Sequence, residues 1–293
     1  MNRKNFLRNA LLGSAALAAG KLHAEEAKEA QASTTYDKLM DQVGFNHLPN
    51  KEEATAKTVL HRANTRGHAN HGWLNTHHSF SFANYRNPDR MHFGVLRVLN
   101  DDWVAPGRGF GRHPHDNMEI ISIPLDGSLE HQDSMGNKAV IKAGDIQVMS
   151  AGTGVYHSEY NQQKDQPVKF LQIWLFPNKR QVTPRYDQIT LKPQQIDNQL
   201  YQILSPNPHD EGVWIHQNAW FHLGSLREGF KSSYSLKDSR NGVYVFLIEG
   251  KMEVAGQTLN PRDGMGIWDT DSVEFKANSQ AKVLFMEVPM TLG

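Results

Sequence analysis

From Thr58 onward, short apolar or alternating runs recur along the chain, separated by Gly, Asn, Asp and Pro: "HFGVLRVL", "MEIISIPL", "AVIKAGDIQVM", "VKFLQIWLF", "GVYVFLIEG", "KMEVAG", "GMGIWD" and "AKVLFMEVP". Runs of this length with turn residues between them predict many short β-strands, arranged as an all-β sandwich or barrel. No stretch after residue 57 carries a long helical period. Residues 184–200, "PRYDQITLKPQQIDNQL", are polar and Pro-bearing and read as a connector between two halves. The halves look like distant copies. Strand, acidic-Gly turn, strand, hairpin and a further strand follow one another in "IPLDGSLEHQDSMGNKAVIKAGDIQVM" and again in "FLIEGKMEVAGQTLNPRDGMGIWD". Glu249-Gly250 answers Asp126-Gly127, and Asp263 answers Asp145. A repeat of this size predicts a duplicated β domain, each copy with its own core.

The first residues have a different texture. Arg3, Lys4 and Arg8 precede a short Ala-rich apolar run from Leu11 to Gly20, and small residues follow, with Ala24 or Ala32 as cleavage ends. This is the pattern of an export signal and is too short for a membrane span. Arg3-Lys4-Asn5-Phe6-Leu7-Arg8 is similar to the twin-arginine motif, with Lys in place of the second Arg. Residues 1–32 are therefore expected to direct the chain to the periplasm, or to leave it cytoplasmic if the signal goes unused. Residues 33–57 read as a polar spacer, 58–183 as an N-terminal domain and 184–293 as a C-terminal one. Over the 293 residues, 31 Lys and Arg balance 31 Asp and Glu, so no overall field draws the protein to nucleic acid or anionic lipid. No cysteine is present, which excludes disulfides, thiolate nucleophiles and Cys-ligated metals. There are 15 histidines, and histidine is the commonest metal ligand.

Two stretches concentrate them. "GRHPHDNMEI" places His113, His115, Asn117 and Glu119 at alternate positions, on one face if the stretch is one strand. "GTGVYHSEYN" places His157 and Glu159 likewise, after a Gly-rich turn. Imidazoles with a carboxylate suit Fe(II), Mn(II), Ni(II), Cu(II) or Zn(II), not Ca(II) or Mg(II). Four protein ligands on a six-coordinate ion leave positions open for substrate. His77, His78 and His92 fall in a strand-rich stretch where one could line a pocket mouth. His61, His68, His71 and His131 read as surface or turn residues. Phe80, Phe82, Phe93, Phe110 and Trp174 read as core, with the reservation that a flat phenolic ligand needs an aromatic wall.

The stretch from Phe93 to Asn161, with "GWLNTHHSFSFANYRNP" before it and "LQIWLFPNKRQVTPRYDQ" after it, resembles the pirin branch of the bicupins within the cupin superfamily. The likeness runs from about residue 60 to 293. It implies two tandem cupin (jelly-roll) β-barrels facing each other. In the general cupin pattern the carboxylate ligand is the Glu after His-x-His, here Glu119. The pirin pattern instead implies His113, His115, His157 and Glu159 as ligands, with Glu119 beside them to orient an imidazole or a bound water. Ser150 stands where the second cupin motif usually has Pro. His209, His216 and His222 lie in no His-x-His setting, and the resemblance implies a metal-free C-terminal domain.

The implied activity is that of a quercetin 2,3-dioxygenase: a phenolic such as a flavonol is cleaved by O2, releasing carbon monoxide and a depside. Glu159 would serve as ligand and base, and Fe(II) is the expected ion, with Mn, Ni, Cu or Zn as alternatives. The rival reading is a non-catalytic, metal- and redox-sensing regulator that binds other proteins. A roomy aromatic cavity would favour the enzyme, and a closed site beneath an apolar patch the regulator. A monomer with no nucleic-acid partner and no membrane span in its mature form is expected. Fusing residues 1–32 to a reporter should carry it across the inner membrane. Replacing Arg3 and Lys4 together by Gln should leave the precursor in the cytoplasm; fractionation and immunoblotting of both fusions checks this.

Overall fold

Two classes of strand sort into two kinds of sheet. In the computed structural model, which describes residues 56–292, the chain-order strands of the first half are β1 Lys57–His61, β2 Gly67–Asn70, β3 Leu74–His78, β4 Leu96–Val104, β5 Gly109–His115, β6 Glu119–Asp126, β7 Ser128–Asp133, β8 Lys138–Lys142, β9 Asp145–Ser150, β10 Val155–Asn161, β11 Val168–Leu175 and β12 Arg185–Thr190. A single-turn helix, α1 Pro193–Ile196, follows. Then come β13 Leu200–Ser205, β14 Val213–Trp214, β15 Trp220–Leu226, β16 Lys231–Ser235, β17 Asn241–Glu249, β18 Met252–Val254, β19 Gln257–Leu259, β20 Gly264–Trp268, β21 Ser272–Ala277 and β22 Ala281–Pro289. The expected export signal and the spacer before Ala56 lie outside the described residues. Among the described residues no helix is long and apolar enough to cross a membrane.

The strands form two cupin-like halves. The first has a seven-stranded sheet ordered β12-β9-β6-β11-β4-β3-β2 and a four-stranded sheet ordered β5-β10-β7-β8. The second repeats the plan with β1-β20-β17-β22-β15-β13-β14 and β16-β21-β18-β19. Among the described residues the strand pairing does not close either half into a continuous barrel; each is a large sheet with a small one. The small-sheet strands alternate: β21 and β10 bury every second side chain. The large-sheet strands do not. β9 is buried at every position, and β17 at all but its last. A strand is buried along its whole length when both of its faces are covered, and both faces of these strands are.

One face of each large sheet looks into its own half. The other meets the large sheet of the opposite half, across the largest apolar core. Ile121 and Ile123 of β6, Leu171 and Ile173 of β11, Phe246 of β17 and Leu284 of β22 all belong to it. The second half has a further core between its own sheets, with Val245 and Phe285 on one side and Val254 and Phe275 on the other. The first half lacks an equivalent. Its interior holds two small apolar clusters, one around Val104, Leu129 and Phe170, the other around Ile120, Met149 and Val155. Polar side chains lie between.

The edge strands cross the expected division of the chain. β12, inside the stretch read as a connector, pairs with β9, so it belongs to the first half. β1 pairs with β20 of the second half, Lys57 opposite Trp268. The sheets therefore do not divide between residues 183 and 184, nor does strand structure begin at 58. The two matched turn residues explain the arrangement. Asp145 accepts the Thr190 hydroxyl of β12 (2.7 Å) and the Lys142 N–H (2.8 Å). Asp263 accepts the Ala63 N–H and an Arg62 guanidinium N–H just after β1, both at 2.7 Å. Each copy uses its acidic turn to hold an edge strand supplied from elsewhere in the chain.

Gly264 and Gly266 let β20 approach the shared core. A Cβ on Gly264 would fall inside the phenol of Tyr244, and one on Gly266 inside the ring of Phe93. Both rings are buried, so neither can swing into solvent. Gly264→Ala should therefore destabilise the protein by roughly 1–3 kcal/mol through overpacking, read as a lower urea midpoint at unchanged m-value.

Candidate metal centre

The small sheet of the first half places the histidines. β5 pairs with β10 so that His113 stands directly opposite His157. Alternation along β5 adds His115, and alternation along β10 turns Val155, His157, Glu159 and Asn161 inward. The three imidazoles meet, with ring centroids 4.4 Å apart for His113–His157 and 4.9 Å for the other two pairs. One nitrogen from each lies within 4.8 Å of the others.

Hydrogen bonding prepares them for a metal. His113 Nδ1 meets the Gly111 carbonyl at 2.7 Å. A carbonyl can only accept, so Nδ1 carries a proton, and in the neutral ring Nε2 carries the lone pair. Both ring nitrogens of His157 are buried without a partner, a costly state for a side chain 2% exposed. Burial, reinforced by the neighbouring imidazoles, pushes His115 down to about 4 and His157 down to about 3. Both stay neutral at physiological pH, which is the ligating form. Three convergent imidazoles, of which burial holds His115 and His157 neutral, fit a divalent transition metal, and the cluster is able to coordinate one.

Glu159 is placed differently from the histidines. The β5–β10 register shifts between His157 and Glu159, which brings Glu159 opposite Phe110. Its carboxylate falls within 4.8 Å of nitrogens of His157 and His131, a second group that shares His157 with the first. The four expected ligands thus fall into two overlapping clusters that share His157. The large sheet clamps Glu159: Gln172 Nε2 donates to both oxygens (2.9 and 3.2 Å), and the Ser122 hydroxyl to one (3.2 Å).

Glu119 is not beside the imidazoles. Asn117 adopts a left-handed φ of 44°, ending the face that the alternate spacing suggested, and the chain passes from the small sheet to the large one. On β6, Glu119 shares its parity with Ile121 and Ile123, which belong to the shared core. It accepts the Ser150 hydroxyl at 2.6 Å, and burial pushes its carboxyl up to about 7. Ser150, the departure from the cupin motif, is thus its partner. His131, read as a surface or turn residue, is wholly buried, and His61 is buried with Nδ1 2.9 Å from the Tyr244 hydroxyl. The signal for His131 was its place on an alternating strand two residues before Asp133.

A cavity of about 730 Å³ opens above the cluster, with His113, His115, Glu159 and Gln172 among its lining. Its walls include Phe82, Phe110 and Trp174, whereas Phe80 and Phe93 belong to the shared core. His78, paired with Asn100 at 2.8 Å, lines it, as do His68 and His71. The Asp102 Oδ1 and Trp174 Nε1 atoms, both from cavity-lining residues, are buried without partners. Burial pushes the Asp102 carboxyl up to about 7.

Residues 59–175 match the Pirin family, and residues 202–288 match the quercetinase C-terminal cupin domain. The chain is 42% identical over 230 residues to a quercetin 2,3-dioxygenase of Escherichia coli K12, covering 78% of this chain and 98% of that one. It is 38% identical over 222 residues to a pirin-like protein of Caulobacter vibrioides, covering 75% and 95%. Among solved structures, the bacterial pirin YhhW of Escherichia coli in complex with nickel(II) superposes with a TM-score of 0.76 at 39% identity, covering 80% of this chain and 99% of that one.

Burial gives the folded protein a pH signature. His61 and His222 are pushed down to about 4, as His115 is, and His157 lower still. Below about 6.5 the unfolded chain protonates these four imidazoles and the folded one does not. Asp102 and Glu119 act in the opposite sense, because the folded state takes up their protons first, near 7. His77, His78 and His216 are lowered by burial as well, so the imidazoles outnumber the two carboxyls and stability falls as pH drops from 6.5 toward 4. Urea unfolding of metal-free protein between about pH 5 and 7 should show this decline, and a flatter profile in His222→Phe.

Proposed function

The chain belongs to the pirin family, and on that premise we propose that it is a metal-dependent dioxygenase of the quercetin 2,3-dioxygenase kind, acting on a flavonol or related phenolic with O2. The observation that carries this reading is the cluster of convergent imidazoles, with Glu159 beside it, at a cavity walled by aromatic rings. A volume of about 730 Å³ suits a small organic ligand, since such pockets span roughly 300–1,000 Å³. The rings of Phe82, Phe110 and Trp174 offer faces and edges to a flat phenolic body. The Asp102 carboxyl and the Trp174 indole N–H offer an acceptor and a donor to its hydroxyls. This roominess is what favours the enzyme over the regulatory reading.

In the reaction we assign, the cavity excludes water and lays the phenolic against the imidazoles. Glu159 accepts the proton of the reacting hydroxyl, and the electron pair of that O–H bond stays on the substrate oxygen. Gln172 and Ser122 keep the carboxylate aimed while it does so. A metal held by His113, His115, His157 and Glu159 supplies Lewis-acid and electron-transfer chemistry between substrate and O2 when bound. Fe(II) is the proposed ion, with Mn, Ni, Cu or Zn as alternatives. The proposed setting is the periplasm, reached through residues 1–32, with the protein acting as a monomer built from two facing barrels.

Metal analysis and flavonol-dependent oxygen uptake test the proposal. Ala at His113, His115 or His157 should abolish stoichiometric metal. Glu159→Gln keeps reach and a carbonyl ligand but cannot take the proton, and Glu159→Asp withdraws the carboxylate by one methylene. Both should retain partial metal yet lose oxygen uptake by on the order of 100-fold. Metal-replete wild type that consumes no oxygen with any flavonol would sink the dioxygenase reading.

A further inference from the structure

On β7, next to β10 in the small sheet, lies a buried pair that the proposed chemistry does not use. The Asp133 carboxylate accepts four hydrogen bonds: from the backbone N–H of Met135 (2.9 Å) and Asn137 (3.0 Å), from the Asn137 side-chain amide (2.8 Å), and from His131 Nε2 (3.1 Å). Four N–H donors around one carboxylate keep it ionised. The Nε2 of His131 then donates to it, and in the neutral ring this leaves the lone pair on Nδ1. That Nδ1 is buried and has no partner. Both side chains are fully excluded from solvent, so water does not reach it from outside.

Across the strand pair, Asp133 stands opposite His157, and His131 opposite Glu159. The His131 and His157 rings are 5.4 Å apart, centroid to centroid, and nitrogens of the two lie within 4.8 Å of each other. A neutral imidazole has one lone pair and one N–H. If His157 gives its lone pair to a metal, its N–H remains in a buried place and needs an acceptor.

We infer that His131 Nδ1 is that acceptor, so that Asp133, His131 and His157 form a buried relay of carboxylate, imidazole and ligating imidazole. The inference rests on His157 being a metal ligand, as proposed above. His131 is a positioning residue: Asp133 fixes its tautomer, and it fixes which nitrogen of His157 faces the metal. Drawing electron density toward the ligating nitrogen, it also tightens metal binding.

Full-length protein, stripped of metal, would be titrated with Co(II) in competition with a chelator. The Co(II) form would be examined by proton NMR for paramagnetically shifted imidazole N–H resonances. His131→Leu should weaken Co(II) binding by on the order of 10–100-fold and should move one N–H resonance or bring it into fast exchange with water. His131→Gln, whose amide oxygen can accept, should recover part of both. Asp133→Asn should reverse the His131 tautomer and resemble the Leu variant. Circular dichroism of each metal-free variant establishes that it folds, and the Gln variant carries the test if Asp133→Asn does not. Wild-type affinity with an unmoved N–H resonance in His131→Leu overturns the relay, as do equal losses in the Leu and Gln variants. A wild type that takes up no Co(II) overturns the metal-site reading itself, and the relay falls with it.

Discussion

The apolar core between the two large sheets is the contact on which the rest of the structure depends. It joins Ile121, Ile123, Leu171 and Ile173 of the first half to Phe246 and Leu284 of the second. Fully burying one such side chain is worth about 1.5–3 kcal/mol. The first half therefore need not fill its own interior in order to fold. Its large sheet is held from behind, and the space in front can be hollow and polar. The second half, packed on both faces of its large sheet, has no comparable freedom. One copy of the duplicated fold acts as a buttress, and the other carries the chemistry. The exchange of edge strands ties them further, since β1 adds to the second half before the first half has begun.

That polar interior is expensive. Of the nine buried side-chain atoms left without a partner among the described residues, seven belong to Asp102, His131, Gln147, His157 and Trp174, all in the first half. Each would cost roughly 1–3 kcal/mol if it stayed unsatisfied. A fold with no use for the space would fill it with apolar side chains, as the second half does. Orphaned donors and acceptors gathered on two facing sheets mark a place built to receive something polar.

How far this was legible in the sequence follows from which interactions are local. Period-two alternation located β10 and, with it, the inward pair His157 and Glu159. Short apolar or alternating runs located β6, β9, β17 and β22. Alternation misled only where the strand ended: Asn117 turns left-handed, and Glu119 passes to the other face of another sheet. The partners of β1 and β12 were illegible, because strand pairing between distant segments leaves no mark in either one. His131 was missed for a related reason. Its strand is partly polar, "SLEHQD", so its alternation puts His131 and Asp133 on one face but does not say that this face points inward, which the sheet order does.

The two sheets of the first half divide the work at the centre. All the imidazoles come from the small sheet, on β5, β7 and β10. The groups that aim Glu159 come from the large one, Ser122 on β6 and Gln172 on β11. The carboxylate is thus suspended between sheets, and its position relative to the imidazoles depends on how the sheets are spaced. That spacing has little apolar filling of its own, only the small clusters at either side of the cavity. The large sheet is instead fixed by what lies behind it, because Ile121 and Ile123 flank Ser122, while Leu171 and Ile173 flank Gln172 in sequence. Every second residue of these strands packs into the shared core, and the residues between hold the carboxylate. The second half thus bears on the chemistry by holding still the sheet that holds Glu159.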